Sequence, residues 1–283
     1  MAIITLSRGS YSHGEEIARR VAARLGYEYT SREILVEASR FFDVSEMRLT
    51  KTIHDAPSIL ERITRGKEKY LNYIQAALLE HVRRDNVVYH GHAGHFFLPR
   101  ISHVARVRII ADMSERVRYL REVKPMSEAA AKDYLINEDR ERTRWTRYLF
   151  DKEITDPALY DLVINIGVLN IDDACDIICI MAESERFKAT PESTRAINDL
   201  AISSHIRAAL QETCEADVTS EAGRVHVRVL APKIRKSSYA SPYLEKSIAE
   251  DMRQELNRKV LTILKDVSGV KDVTCAVDDP LYL

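Results

Sequence analysis

Residues 2–16 read Ala2-Ile-Ile-Thr-Leu-Ser-Arg-Gly9-Ser-Tyr-Ser-His-Gly14-Glu15-Glu16, and this stretch decides the fold. An apolar run typical of a buried strand leads into a turn with two glycines, and residues 16–25 continue with apolar positions at helical spacing. A strand, a turn and a helix in this order form an anion site, because free backbone N–H groups and the positive end of the helix dipole meet in the turn.

The spacing of Gly9 and Gly14 is that of a Walker A phosphate loop, G-x-x-x-x-G-K-[ST]. In that loop the lysine contacts the β- and γ-phosphates and the hydroxyl binds Mg²⁺. Here Glu15 stands at the lysine position and Glu16 at the hydroxyl position, so both carboxylates are expected to repel a bound phosphate. Arg8 is the candidate for a compensating positive charge. In the other interpretation the two glutamates only stabilise the start of the helix, by about 0.3–1 kcal/mol each.

The composition is that of a globular protein with balanced charge. The 283 residues include 42 basic and 43 acidic side chains, a formal net charge of -1, so no general attraction to nucleic acid is expected. The four cysteines are too few and too scattered for a disulfide framework. Because no apolar run reaches the roughly 18 residues of a membrane span, we expect a cytoplasmic protein without a transmembrane segment.

Strands and helices alternate over the first two thirds of the chain, which predicts a parallel sheet with helices on both faces. Residues 185–194 are mostly polar, contain Pro191 and are interpreted as a linker. From residue 195 the predicted order is helix, strand, strand, helix, strand, typical of a separate α+β module. The predicted fold is therefore α/β over residues 1–184, followed by a small αββαβ domain over residues 195–283.

Several motifs in residues 1–184 resemble the cytidylate-kinase-like branch of the P-loop nucleoside monophosphate kinases. The similar pieces are Ile4-Thr-Leu-Ser-Arg8, Gly14-Glu-Glu16-Ile17, Leu25-Gly-Tyr-Glu-Tyr29, Arg32-Glu-Ile34, Val87-Val-Tyr-His-Gly91-His-Ala-Gly94 and Asp156-Pro-Ala-Leu-Tyr160-Asp161-Leu-Val-Ile-Asn165. The resemblance implies a P-loop kinase fold, an ATP site with Mg²⁺ at the first loop, a helical monophosphate-binding arm and an arginine-bearing lid. The nucleotide contacts that it implies are Arg8, Gly9, Ser10, Ser12, Gly14, Glu15 and Glu16.

The lid arginines implied by the resemblance are Arg140 and Arg144, which lie in a helical stretch that also carries Arg142 and Arg147. In a kinase they would neutralise charge on the transferred phosphoryl group. The same stretch is also open to interpretation as a solvated helix face, on which the arginines are balanced by neighbouring acidic residues.

The chain departs from the family pattern in the first loop and beyond it. Tyr11 and His13 replace two glycines, although a bulky residue adopts positive φ only at a cost. Ser31 replaces an aspartate, and His92 an arginine. The function implied is ATP-dependent phosphoryl transfer to a nucleoside monophosphate or related acceptor, with a degenerate phosphate loop. The alternative is a catalytically inactive module that binds a nucleotide or another ligand for regulation.

Three histidines, His90, His92 and His95, form an H-x-H-x-x-H pattern at a predicted strand end. Alternation along the strand and a turn at the adjacent glycines would allow a three-nitrogen set of the catalytic zinc type. In the other interpretation they only fill a loop that borders the nucleotide cleft.

The C-terminal module resembles a BON domain. The similar pieces are Ala201-Ile-Ser-Ser-His-Ile206-Arg-Ala-Ala-Leu210, Gly223-Arg-Val-His-Val and Val267-Ser-Gly269-Val270-Lys-Asp-Val273. BON domains are associated with phospholipid or other ligand binding, so the resemblance implies a phospholipid, small-molecule or protein partner. Residues 232–242 form a locally basic loop, either a contact for an anionic partner or a solvated insertion.

Overall fold

The computed structural model describes residues 2–54, 66–92, 94–99, 101–230, 233–234, 242–265, 267–279 and 281–282. The chain divides into two compact units, Met1–Thr194 and Arg195–Leu283. Within the described residues no helix is long and apolar enough to cross a membrane.

The first unit is a five-stranded parallel sheet with helices. Its strands are β1 (Ile3–Arg8), β2 (Glu28–Thr30), β3 (Val87–His90), β4 (Val104–Ala111) and β5 (Leu162–Ile166), in the spatial order β2-β3-β1-β4-β5. Its helices are α1 (Gly14–Leu25), α2 (Glu33–Phe42), α3 (Glu46–His54), α4 (Gly66–Val82), α5 (Gly94–Phe97), α6 (Met113–Val123), α7 (Glu128–Phe150) and α8 (Ile171–Glu183). The described residues of this unit also form two 3₁₀ turns, Pro157–Leu159 and Glu185–Phe187.

Strand β1 lies at the centre of this sheet, and its apolar residues explain why. Ile3, Ile4 and Leu6 are all buried, as expected of a parallel strand covered on both faces. On one face the core includes Ile17 of α1 and Ile178 of α8. Because all five strands run in the same direction, their carboxyl ends meet at one edge, where ligands bind in open α/β sheets. The predicted parallel α/β sheet is confirmed.

The second unit has its own small sheet, so the predicted separate αββαβ sheet is also confirmed. Its elements are α9 (Pro191–Leu210), β6 (Ala216–Glu221), β7 (Arg224–Val229), β8 (Lys233–Ile234), α10 (Pro242–Leu264), β9 (Asp272–Val277) and β10 (Leu281–Tyr282). Strand β7 pairs antiparallel with β6 and parallel with β9, while β8 and β10 pair separately. Its core contains Ile206, Val227 and Val260. Apart from β8 and the start of α10, the predicted basic loop 232–242 lies outside the described residues.

Helix α9 begins at Pro191, inside the segment interpreted as a linker. Proline is favourable at the first helical position, because its missing N–H would have no intrahelical partner there and its φ is already helical. Thr190 and Ser193 close the turn reciprocally: the N–H of Thr190 donates to Ser193 Oγ at 2.9 Å, and the N–H of Ser193 donates to Thr190 Oγ1 at 3.2 Å. Pro191 therefore starts the helix rather than interrupting regular structure.

Candidate functional site

The first loop, residues 9–13, connects β1 to α1 at the carboxyl edge of the sheet. Tyr11 has φ 56° and His13 has φ 61°, so both residues adopt the left-handed conformation that glycine favours. For other residues this conformation costs about 1–2 kcal/mol each. The His13 side chain makes no capping hydrogen bond to α1. The loop thus contains two left-handed residues that are not glycine, and the start of the helix is not capped by its N-cap side chain.

Helices α6 and α7, called here the lid helices, pack on this loop through Tyr11. The Tyr11 ring meets Tyr119 and Tyr134 edge-on, with ring centroids 6.2 and 6.1 Å away. The Lys124 ammonium lies 5.9 Å from the Tyr11 centroid and 5.1 Å from that of Tyr134. Edge-on aromatic pairs are worth about 0.5–1.5 kcal/mol beyond burial. The energy of these contacts is similar to the cost of the left-handed backbone at Tyr11. The contacts therefore stabilise this conformation.

His13 is held by the same lid helices. Its Nε2 lies 3.0 Å from Glu115 Oε1, and its ring centroid lies 4.1 Å from that of Tyr119. A hydrogen bond from Arg118, aided by the one from His13, holds the pKa of Glu115 below its usual value. The left-handed turn before α1 is therefore fixed by side chains of α6.

A third loop contact comes from Arg116, a residue that the sequence did not single out. Its Nε donates to the Ser10 carbonyl at 2.6 Å, and its terminal nitrogens donate to Asp139 at 2.8 and 2.9 Å. Arg116 is buried and joins the loop to both lid helices. A signal for it existed: it lies four positions before Leu120, on the apolar face of an amphipathic helix.

Two further arginines meet where the loop leaves β1. Arg8 Nε donates to His90 Nε2 at 2.8 Å, and Arg142 Nη1 donates to the Arg8 carbonyl at 3.1 Å. Burial lowers the pKa of Arg8, although Glu15 and other groups oppose this effect. Burial and the neighbouring charge of Arg8 lower the pKa of Arg142 to about 10. The proximity of the two guanidinium groups, with the Arg8 charge opposing that of Arg142, favours an anion at this position.

Gly14 permits this arrangement because it packs against Arg8. A Cβ atom on Gly14 would lie 2.7 Å from Arg8 Cδ and 2.8 Å from Arg8 Cβ, closer than carbon atoms approach without displacement. Glycine at this position therefore keeps the Arg8 side chain in place.

Glu15 and Glu16 form ion pairs along the surface of α1. Glu15 pairs with Arg19 at 3.1 Å and is 58% exposed, and Glu16 pairs with Arg20 at 2.5 Å. Each pair joins residues four positions apart, the usual spacing of helix-surface ion pairs. The paired arginines, Arg19 and Arg20, reduce the repulsion that the sequence alone predicts between these two carboxylates and a bound anion.

The remaining predicted loop residues have different surroundings. The Gly9 N–H donates to the Ile109 carbonyl at 2.9 Å, so it extends the pairing of the sheet. The Ser12 hydroxyl donates to the carbonyls of Gly9 at 2.9 Å and Ile109 at 3.1 Å, which closes the loop. The Ser10 hydroxyl is buried and has no hydrogen-bond partner within the part of the chain that the structure describes.

Two adjoining cavities open around this loop. The loop cavity, of about 520 Å³, is lined by residues 11–15 together with Thr50 and side chains of the lid helices. The strand-end cavity, of about 100 Å³, is lined by the ends of β3 and α2 and by Glu141 of α7. Both cavities are lined by the same four residues, which form the wall between them: Arg8, Arg32, Glu138 and Arg142.

Arg140 and Arg144 are both exposed. Arg144 pairs with Glu141 at 2.9 Å. Residues two positions apart on a helix lie about 200° apart, so Arg140 and Arg144 lie on a different face of α7 from Arg142. The structure thus brings Arg142, not these two, to the first loop.

The three histidines of the H-x-H-x-x-H pattern have separate neighbours. His90 bonds to Arg8, His92 lies against the Trp145 ring, and His95 contacts Phe96 and Tyr160. Burial lowers the pKa of both His90 and His95 to about 3. Among the described residues no group of three or more His, Cys, Asp or Glu side chains could hold a metal ion. The hypothesis of a three-histidine metal set therefore has no support there.

A family model described as the Cytidylate kinase-like family matches residues 3–168, more than half of the chain. The chain belongs to this cytidylate kinase-like family. The matched range contains the first loop, both lid helices and all residues of the wall between the cavities. No curated protein sequence matches the chain significantly.

Solved structures resemble the cytidylate kinase-like unit in fold. An uncharacterized protein from Eubacterium ventriosum ATCC 27560 has a TM-score of 0.52 at 18% identity, over 65% of this chain and 99% of that chain. Shikimate kinase from Bacteroides thetaiotaomicron has a TM-score of 0.40 at 12% identity, over 65% and 99% of the two chains. Shikimate kinase from Acinetobacter baumannii, in complex with shikimate, has a TM-score of 0.38 at 16% identity, over 66% of this chain and 96% of that chain.

The family match ends at residue 168, before the second unit begins. The resemblance of that unit to a BON domain therefore stays a prediction. Within the cytidylate kinase-like unit, the residues that hold the first loop are Tyr11, His13, Arg116 and Arg142.

Proposed function

We propose that this protein transfers the γ-phosphoryl group of ATP to a nucleoside monophosphate or a related acceptor. The observation that carries the proposal is the wall shared by the two cavities, in which three arginines, Arg8, Arg32 and Arg142, outnumber the single carboxylate of Glu138 beside the first loop. Phosphoryl transfer needs two anionic substrates that meet in line, with cations around the transferred group. Three arginines between two cavities supply positive charge where the two substrates would meet.

The loop residues fit the phosphates of ATP. The Ser10 hydroxyl is buried without a partner among the described residues, and the His13 side chain does not cap α1. Backbone N–H groups of residues 10–14 would hold phosphate oxygens, as at other helix N-termini. The nucleotide would then occupy the loop cavity and the acceptor the strand-end cavity.

The residues fit Mg²⁺ less well than they fit phosphate. Glu16 stands where a hydroxyl ligand is usual, and it is paired with Arg20. Mg²⁺ in kinase sites is bound largely by substrate phosphates and water. We therefore assign no protein ligand to Mg²⁺, and we expect it to enter with the nucleotide.

The proposed roles of the arginines follow from their positions. Arg8 replaces the missing loop lysine as the cation next to the first loop, and Arg142 neutralises charge on the transferred group. Roles for Arg140 and Arg144, implied by the family resemblance, remain a proposal that mutagenesis can separate from this one. Loss of one positioned donor to developing charge commonly lowers the rate by ~10²-fold or more, so we expect slow turnover.

A second candidate function is a catalytically inactive nucleotide- or ligand-binding module. Arg116 and Arg142 donate to loop carbonyls, and Tyr11 lies in the apolar contact with the lid helices. Such contacts favour a lid that stays on the loop, which suits regulation better than repeated turnover. The BON-like unit would then respond to ligand binding by engaging a phospholipid, small-molecule or protein partner.

Two measurements on the purified full-length protein separate these functions. The first is calorimetric titration of ATP with Mg²⁺ and with EDTA in its place. The second is steady-state turnover with ATP, Mg²⁺ and a panel of nucleoside monophosphates. Mg²⁺-dependent binding with turnover that Arg8→Gln abolishes supports the kinase, and binding without turnover supports the regulatory module. Absence of ATP binding would eliminate the kinase and favour an inactive module that binds another ligand.

A turnover number of at least ~10 s⁻¹, typical of enzymes, would show that the effect of Glu15 on catalysis has been overestimated. Glu183→Gln on α8 is the matched control for the loop variants. Glu183 is exposed and lies outside the residues that line either cavity.

A further inference from the structure

Arg8 and His90 occupy the ends of neighbouring strands. In the parallel pairing of β1 with β3, Leu6 lies opposite His90, and Arg8 follows two residues later. The Arg8 side chain reaches back to His90 and donates from Nε to Nε2 at 2.8 Å. The imidazole is 3% exposed, so this contact is protected from water.

The direction of this hydrogen bond specifies the state of the imidazole. A guanidinium only donates, so His90 Nε2 must accept, and the ring proton must be on Nδ1. The pKa of His90 is lowered to about 3 by burial and by the charges of Arg8, Arg142 and Arg19. His90 is therefore neutral at physiological pH. Its Nδ1 is buried and has no partner within the described ranges.

A neutral acceptor differs in its effect from the usual partner of a buried arginine. A carboxylate would also orient the guanidinium, but it would cancel the positive charge in the process. The neutral imidazole of His90 orients the Nε edge of the Arg8 guanidinium and does not neutralise its positive charge. The terminal nitrogens Nη1 and Nη2, with four of the five N–H donors, are not used in this contact.

We propose that His90 is a positioning residue, which orients Arg8 without itself neutralising the guanidinium, so that the terminal nitrogens of Arg8 can bind a phosphate group where the two cavities meet. The identity of the anion as phosphate rests on the proposed function, whereas the pairing of the two side chains does not. Arg8 lines both cavities, so the same guanidinium can contact the donor and the acceptor.

The first test concerns the ligand-free full-length protein and does not depend on nucleotide binding. In NMR spectra of protein labelled with ¹⁵N-histidine, we expect His90 to be neutral between about pH 5 and 8, with the proton on Nδ1. In Arg8→Gln the preference for this tautomer should weaken. Protonation of His90 in this range, or a proton on Nε2, would overturn the proposal. His226, an exposed histidine of the second unit, serves as the internal reference.

The second test measures binding of tripolyphosphate and of ATP. His90→Gln retains a side-chain acceptor, and we expect dissociation constants within about twofold of the wild type. His90→Leu removes the acceptor while keeping apolar bulk, and we expect binding about tenfold weaker, equivalent to about 1.4 kcal/mol. His90→Asp adds a compensating carboxylate, so it should bind more weakly than His90→Gln.

Equal affinities in His90→Gln and His90→Leu, with both variants folded by circular dichroism, would refute the role of His90. Failure of wild-type protein to bind either polyphosphate would refute the proposed function instead. In that case the tautomer measurement still decides whether His90 orients Arg8.

Discussion

Arg142 Nη1 donates to the backbone carbonyl of Arg8 at 3.1 Å, which joins lid helix α7 to the end of the central strand. The two guanidinium groups share one partly buried region, and the charge of Arg8 contributes to the lowered pKa of Arg142. This relationship distinguishes Arg142 from Arg140 and Arg144, which are exposed on α7. The lid arginine that contacts the loop is therefore identified by its helix face, not by the number of arginines in the stretch.

Arg142→Gln should lower turnover with ATP by roughly 10- to 100-fold, because it removes a positioned cation. Steady-state kinetics of the purified variant provides the measurement. Arg147→Gln is the matched control, since Arg147 is exposed and pairs with Glu153. A larger loss in Arg140→Ala or Arg144→Ala than in Arg142→Gln would contradict our assignment and favour the family-derived one.

Gly14→Ala should weaken ATP or tripolyphosphate binding by roughly tenfold without unfolding the protein. The added methyl group would meet the Arg8 side chain at 2.7 Å and displace it, whereas alanine itself is favourable in a helix. Isothermal titration calorimetry and thermal unfolding measure the two effects separately. Gly167→Ala is the control, because the nearest atom to its new Cβ is Asp112 Oδ2 at 4.0 Å. Unchanged affinity in Gly14→Ala would mean that Arg8 is not needed for binding.

Glu15→Lys should strengthen nucleotide binding roughly fivefold at low salt, because an attractive ammonium replaces a carboxylate at the rim of the loop cavity. Glu15→Gln should give a smaller gain. The gain should decrease as salt is added, since Glu15 is exposed and its field is screened. Glu183→Lys makes the same charge change away from the loop and should leave affinity unaltered. A gain of equal size in both lysine variants would indicate a general charge effect.

Asp199→Ala should destabilise the second unit by about 1–3 kcal/mol. The Asp199 carboxylate accepts hydrogen bonds from the N–H groups of Ala222 and Gly223 at 2.8 and 2.9 Å, and from the Ser220 hydroxyl at 2.7 Å. These bonds hold the β6–β7 turn, in which Ala222 and Gly223 both have positive φ. Urea unfolding followed by circular dichroism gives the free energy of unfolding.

The Asp199 contribution should also depend on pH. Burial raises the pKa of Asp199, but hydrogen bonds from Gly223, Ser220 and Ala222 outweigh it, so the pKa in the folded protein lies below its ordinary value. The stabilisation is therefore complete above the unfolded pKa of about 3.9 and decreases as pH falls through the folded pKa. The difference in unfolding free energy between wild type and Asp199→Asn should decrease over this acidic range. A difference independent of pH would contradict this reasoning.

Limited trypsin digestion should cut first after Arg186 or Lys188, both exposed residues just before α9. We propose that the part of residues 185–194 that precedes α9 is the linker, because α9 begins at Pro191 and the chain divides into compact units next to this segment. Two resistant fragments, identified by mass spectrometry, are the expected products. A first cut well inside either unit would argue against independent folding.

Local residue patterns determined most of the secondary structure in advance. Leu162–Ile166 forms a strand, because a short apolar run between polar residues has few other stable conformations. The alternation of strands and helices likewise predicted the parallel sheet, since crossover connections follow from chain direction. The sequence predicts a linker at Pro191, whereas the structure begins α9 there. Proline is compatible both with an interruption of regular structure and with the first position of a helix.

The sequence by itself thus determined the parallel α/β sheet, the separate small sheet of the second unit and the family, because these depend on residue types at short spacing. Only the tertiary structure decided which arginines meet at the loop. Arg8, Arg116 and Arg142 come from three separate elements, and their contacts span up to 134 residues of chain. Such contacts depend on the direction of each helix face after packing, and local composition does not encode that direction. The same holds for Tyr11 and His13, whose left-handed backbone is stabilised by lid side chains far away in sequence.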